Sequence, residues 1–220
     1  MEQAWLSWSS GKDSALALHE LRASGDREVT GLVTTLDVEA DRVAMHGVRR
    51  ALVEAQADAL GLPLHLVELP WPCPNEVYEQ RMSPALAAAK DSGARLLAFG
   101  DLYLADIRAY REQSLAGTGL TAVFPLWERP TTELAGQVLR SGIRAVITCV
   151  DPRQAPRELA GRWYDRTLVD GLPPGVDPCG ENGEFHTFVV DGPDFAHPLD
   201  VRVGDITDRD GFVYADVLPA

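Results

Sequence analysis

Ser9-Ser10-Gly11-Lys12-Asp13-Ser14 gathers three hydroxyls, one ammonium and one carboxylate around a single glycine. A loop of small residues exposes backbone N–H groups, and a helix that starts there adds its positive N-terminal end. Lys12 contributes a point charge, and Ser9, Ser10 and Ser14 contribute hydroxyl donors, so the segment reads as a phosphate-type anion site. It lacks the double-glycine spacing of the Walker A loop. A helix start capped by Asp13 or Ser10 would use the same residue types. A second constellation lies far along the chain, at Asp177-Pro178-Cys179-Gly180-Glu181-Asn182-Gly183-Glu184-Phe185-His186-Thr187. Glu181, Asn182, Glu184 and His186 bring two acids, an amide and an imidazole to the start of an apolar run. Period two puts Glu184 and His186 on one strand face. A polar hairpin, with Gly180 and Gly183 supplying unusual dihedrals, is the structural alternative. Two smaller signals are Phe99-Gly100-Asp101, followed by Asp106, Arg108 and Arg111, and Met45-His46-Gly47-Val48-Arg49. A lone histidine such as His46 is commonly a cap or a surface residue.

These residues need elements to hold them. Apolar runs predict strands over 4–8, 29–35, 64–69, 96–99, 122–124 and 143–150. Helical spacing predicts helices over 13–23, 47–60, 75–91, 105–115 and 131–141. The alternation implies an α/β fold, a parallel sheet with helices on both faces. The serine-rich loop then falls between the first strand and the first helix, and Gly100-Asp101 at the end of another strand, where open sheets bind ligands. Prolines at 152, 156, 173, 174 and 178 break the pattern. Strands over 185–190, 199–203 and 212–217 follow, so residues 1–150 are expected as the α/β body and 151–220 as a small β-rich C-terminal segment.

Composition narrows the function classes. The chain has 220 residues, 45% hydrophobic and 24% charged, enough to bury a core without disulfides or a structural metal. Its formal net charge of -13 opposes a primary role in holding nucleic acid, which needs Lys and Arg against phosphates. No apolar run approaches the ~20 residues of a membrane span. Met1–Ser10 has no basic start followed by an apolar stretch, so no secretory signal is expected. The cysteines at 73, 149 and 179 have no paired spacing, which suits a reduced, cytoplasmic protein. Lys12 and Lys90 are the only lysines against 18 arginines, a bias that matches a GC-rich, bacterial genome.

SSGKDS resembles the PP-loop, SGGKDS, of the ATP pyrophosphatase (adenine nucleotide α-hydrolase-like) superfamily. Ser10 stands where that loop has its first glycine, so the loop is expected to avoid positive φ there. With FGD at 99–101, PLW at 125–127 and, above all, CGENGEFHTF at 179–188, nearly the whole chain resembles the diphthine–ammonia ligase family. The resemblance implies a Rossmann-like fold and ATP-dependent amide formation. A carboxylate attacks the α-phosphate, pyrophosphate leaves, and ammonia displaces AMP from the acyl adenylate. It implies ATP and Mg²⁺, with phosphates and water holding the metal and no dedicated metal-ligand set in the protein. Ser9, Ser10, Gly11, Lys12, Asp13, Ser14, His46 and Gly100 would bind the nucleotide. Lys12, Asp101, Glu181, Glu184 and His186 would carry catalysis, Glu184 or His186 taking the proton that ammonia loses. Asn182, Gly183 and Arg108 would meet the acceptor, a carboxylate-bearing small molecule or protein side chain. The family's product, diphthamide, belongs to a eukaryotic and archaeal translation factor, so a bacterial chain leaves the acceptor open. Ammonia would come free or from a partner, since no glutaminase domain fits beside this core. No membrane or nucleic-acid partner is expected, and a homodimer is left open. The competing readings are an ATP-sensing module without turnover and a PP-loop tRNA-modifying enzyme.

Overall fold

The computed structural model describes residues 1–220. β1 (Glu2–Ser7) runs through the serine-rich loop into α1 (Lys12–Ser24), followed by β2 (Arg27–Asp37) and a two-residue β3 (Arg42–Val43). Then come α2 (Arg50–Leu60), β4 (Leu64–Leu69), α3 (Asn75–Asp91), β5 (Leu96–Ala98), α4 (Ala105–Leu115) and β6 (Thr121–Val123). Strands β4, β2, β1, β5 and β6 lie side by side and parallel, and β3 pairs antiparallel with the end of β2. Alternate residues of each strand face opposite ways, as the two-residue period requires. Leu6, Leu32 and Ala98 join a core shared with α1 and α2. Trp5, Val33 and Leu97 face the other side, against Met82, Ala85 and Ala89 of α3 and Leu115 of α4. Helices on both faces follow from this two-sided burial. No helix is long and apolar enough to cross a membrane.

After β6 the chain forms α5 (Thr131–Ser141), β7 (Arg144–Val150), a short α6 (Arg166–Asp170), β8 (Phe185–Asp191), β9 (Val201–Arg209) and β10 (Phe212–Pro219). The last four strands make a separate antiparallel sheet in the order β8-β7-β10-β9. β7 departs from the sequence expectation here. The alternation placed residues 143–150 in the parallel body, yet β7 is an interior strand of the second sheet, so the change of sheet falls before residue 150. Six consecutive residues of β7 are buried. An unbroken apolar run marks an interior strand without saying which sheet encloses it. Phe188, Val189 and Val213 of the second sheet belong to the same core as Leu6 and Leu16, so the two sheets share one hydrophobic interior.

The parallel strand order reverses once. From β1 the chain moves outward to β2 and β4, then returns to the other side of β1 with β5 and β6. The carboxyl ends of β1 and β5 therefore flank a topological switch point. The SSGKDS loop leaves one and Gly100-Asp101 leaves the other.

Candidate active site

α1 begins without a side-chain cap, so neither Asp13 nor Ser10 plays the N-cap role; Gly11 occupies that position. The Ser14 hydroxyl donates to the Gly11 carbonyl at 2.9 Å, and the Lys12 amide donates to Thr187 Oγ1 at 3.0 Å. Gly100 packs on the loop so closely that a Cβ would lie 3.1 Å from the Asp13 and Ser14 backbone. Ser10 overturns the expectation of negative φ: it adopts φ 71° and is fully buried, with a hydroxyl that has no hydrogen-bond partner. For a residue with a Cβ the left-handed region costs about 1–2 kcal/mol. Neighbours impose it. The Ser10 carbonyl accepts from the Val189 amide at 2.9 Å and from Gln56 Nε2 at 3.2 Å, two bonds that fix the peptide's direction.

The loop's partners are the edge of the second sheet. β8 is an edge strand, and its outer side meets the loop through Thr187 and Val189. The His46 ring donates from Nδ1 to the Thr187 carbonyl at 2.9 Å and lies on Gly11, where a Cβ would come within 2.7 Å of the ring. The His46 and His186 rings lie 4.7 Å apart. Burial lowers the His46 pKa to about 4 and the His186 pKa to about 3, so both are neutral imidazoles at ordinary pH. His186 Nε2 is buried and unpartnered. His46 is not the cap of the helix expected from residue 47: α2 starts at Arg50, and His46 sits in the turn ahead of it, where Met45 and Gly47 have positive φ.

Lys12 is 1% exposed. Its ammonium bonds Asp13 Oδ2 at 2.9 Å and the Cys179 carbonyl, and lies 5.5 Å from the ring centres of both Tyr164 and Phe185. Burial works to lower its pKa, but the Asp13 carboxylate outweighs it and holds the ammonium charged. One cation thus ties the loop to the Cys179 turn, 167 residues away.

A cleft of about 680 Å³ opens in front of the loop. Of the residues singled out in the sequence, Ser9, Lys12, Asp13, Ser14, His46, Gly100, Asp101, Glu181, Asn182, Gly183 and His186 line it. Ser10 and Gly11 form the loop's buried back. Glu181 accepts from the Leu102 amide at 2.8 Å, and burial raises its pKa to about 7. Burial also raises the Asp101 carboxyl, opposed by Arg111, whose Nε lies 3.7 Å away. No group of three or more His, Cys, Asp or Glu side chains could hold a metal by itself.

Two candidates sit elsewhere. Glu184 is 2% exposed and turns away from the cleft; its Oε1 accepts from the Asp177 amide at 3.1 Å and Asn182 Nδ2 at 3.0 Å. The shared-face argument with His186 fails because β8 starts at Phe185, so Glu184 belongs to the preceding turn. Arg108 pairs with Glu112 along α4 and stacks 4.9 Å from Phe124 and 4.7 Å from Trp127. The cleft-facing arginine is Arg111, one helical turn further on.

Residues 1–121 match the model of the diphthamide synthase N-terminal domain, and residues 131–215 match that of the diphthamide synthase C-terminal domain. The chain belongs to the diphthamide synthase family. No curated protein matches it at a significant level. The membership implies an enzyme of the ligase, ATP-pyrophosphatase type. The join between the two matched domains falls between β6 and β7, where the chain passes from one sheet to the other.

Sequence reasoning assigned no role to Thr187 or Arg111, although both stood in signals it offered, and did not point to Gln56. Thr187 stood inside the recognised motif, but its role depends on the loop it meets. Gln56 is fully buried within α2 and bonds Trp8 Nε1, the Ser10 carbonyl and the Val189 carbonyl. A glutamine on the apolar face of a predicted helix was the available signal, since a buried polar side chain needs partners.

Proposed function

We propose that the protein is an ATP-dependent, amide-forming ligase. A substrate carboxylate attacks the α-phosphate of ATP, pyrophosphate leaves, and ammonia then displaces AMP from the acyl adenylate. The observation that carries this reading is Glu181: a carboxyl with a pKa near 7 faces the same cleft as the SSGKDS loop. A passive nucleotide sensor needs no group tuned to the operating pH, whereas a general base does.

In this reading the loop amides and the Ser9 and Ser14 hydroxyls hold the phosphates. Lys12, in the cleft wall, keeps the loop closed against Cys179 and adds positive potential. Mg²⁺ would meet the Asp13 and Asp101 carboxylates together with phosphate oxygens, a fit for a metal that takes one or two protein ligands, and would neutralise charge on the leaving pyrophosphate. Charge spreads over phosphate oxygens as pyrophosphate leaves, so positioning and electrostatics supply most of the acceleration. Glu181 takes the proton that ammonia loses on attack. His186, a neutral imidazole with a free buried nitrogen, serves as a hydrogen-bond partner. Glu184 positions the Asp177–Glu184 turn. A reduced, cytoplasmic setting goes with this reading, since Cys73, Cys149 and Cys179 are all free.

The test is the bond that breaks. ATP turnover with ammonium and an acceptor should yield AMP and pyrophosphate, read by anion-exchange chromatography. ADP and phosphate as the products would reject the acyl-adenylate route.

A further inference from the structure

A second cleft, of about 840 Å³, runs between α3 and α4. Its floor is Leu97 and Phe99, and it adjoins the cleft in front of the loop at a neck whose lining the two share, Tyr78, Met82, Tyr110 and Arg111 among it. The volume lies within the range of small-molecule sites, roughly 300–1,000 Å³. Half of its lining residues are hydrophobic.

Arg111 stands at the neck with donors to spare. Its guanidinium stacks on the Phe99 ring at 4.9 Å. Nε is buried without a hydrogen-bond partner, 3.7 Å from Asp101 Oδ2, and a terminal nitrogen reaches the Tyr78 hydroxyl only at 3.4 Å. A buried donor left unsatisfied is costly, and a guanidinium fork is shaped to take a carboxylate on two nitrogens. A cleft with an apolar floor and a mixed rim, bordered by an underused arginine beside the SSGKDS loop, has the polarity of an organic acid.

We propose that this cleft binds the acceptor, a small organic acid with an elongated apolar or aromatic body. The body lies between α3 and α4, and Arg111 draws the carboxylate into the neck, facing the α-phosphate. The role as acceptor site rests on the ligase reading above; the binding of the acid does not.

Octanoate and 4-phenylbutyrate serve as probes, with octanamide as the uncharged control, titrated by calorimetry into the full chain. Both acids should bind, and octanoate should bind about tenfold tighter than octanamide, the scale of one charge-assisted pair. Arg111→Gln should erase that preference. Ala87→Trp should weaken both acids about tenfold or more by filling the cleft, with ATP affinity unchanged, because Ala87 is exposed and lines only the second cleft. Ser83→Trp, on the same wall, repeats the block if the first variant folds poorly. Absence of binding by both acids, equal affinity for octanoate and octanamide, or binding untouched by the tryptophan variants would overturn the proposal. Acid binding as described combined with ADP as the nucleotide product would instead reject the acyl-adenylate reading above and leave the acid site standing.

Discussion

Glu181→Gln should lower turnover and raise stability together, and both effects follow from one carboxyl. Burial raises the Glu181 pKa from 4.5 to about 7. The unfolded chain gives up this proton near pH 4.5, while the native chain keeps it until about pH 7. Between those values the native state binds more protons than the unfolded state, so stability falls as pH rises. The gap corresponds to about 3 kcal/mol of destabilisation, absent below pH 4.5 and fully developed above pH 7. Glutamine keeps an oxygen for the Leu102 amide and cannot ionise. Urea denaturation should therefore find the variant up to about 3 kcal/mol more stable at pH 8 and unchanged at pH 4.5. Its kcat/KM at pH 8 should fall 10²–10⁴-fold, the range for loss of a general base. The wild-type to variant ratio of kcat/KM cancels the titrations of ATP and ammonium, and should rise with pH to a plateau, with a midpoint near 7. Turnover within about fivefold of wild type would remove Glu181 as the base. A variant less stable than wild type at pH 8 would show that the native site favours the carboxylate.

Lys12→Ala should cost about 3 kcal/mol in chemical denaturation, because it strips a buried cation from Asp13 and the Cys179 carbonyl. Lys12→Arg should restore neither full stability nor ATP affinity, since the larger guanidinium overfills the space between Tyr164 and Phe185 at about 1–3 kcal/mol. Ser10→Gly should raise stability by about 1 kcal/mol by relieving the left-handed serine, with ATP affinity by calorimetry unchanged; an unchanged or lowered melting temperature would refute the strain. His46 and His186 are held neutral, so their ring proton shifts should stay flat in NMR spectra from pH 5.5 to 8; a midpoint near 6.5 for either would refute their burial. Filter binding at about 0.15 M salt should detect no micromolar affinity for tRNA, given the net charge of -13.

The parallel sheet and its flanking helices were legible because strand and helix periods alternate cleanly through the first 120 residues. β7 was not, since its apolar run fits an interior strand of either sheet. The SSGKDS segment was legible as the loop between β1 and α1 from residue type and element order. The conformation of Ser10 was not, because local preference argued against positive φ and the forces that impose it come from Gln56 and Val189. Arg108 and Arg111 lie one helical turn apart, and only the packing of α4 against Phe124 and Trp127 tells which of them reaches the cleft. Glu181 and Glu184 look equivalent in sequence. Glu181 faces a cleft and burial raises its pKa to about 7, whereas Glu184 is buried away from the cleft, with Oε1 accepting from the Asp177 amide and the Asn182 side chain.

The second sheet is part of the SSGKDS site rather than an attachment to it. A PP-loop must present its amides in one direction, yet α1 starts with no side-chain cap and Ser10 is strained. Left to its own sequence the loop would relax. What holds it is the outer edge of β8 and the turn before that strand: Thr187 caps the Lys12 amide, Val189 donates to Ser10, and the Cys179 carbonyl receives the Lys12 ammonium. The exchange is mutual, because an uncovered edge strand is an aggregation hazard and the loop covers this one. Strain at Ser10 is therefore sustained by bonds from residues about 45 to 180 positions away. That dependence explains why the GENGEFHT segment, the most specific signal in the sequence, lies outside the sheet that forms the cleft floor. Its glutamate, asparagine and histidine line the cleft, and the strand that follows shapes the loop that faces them.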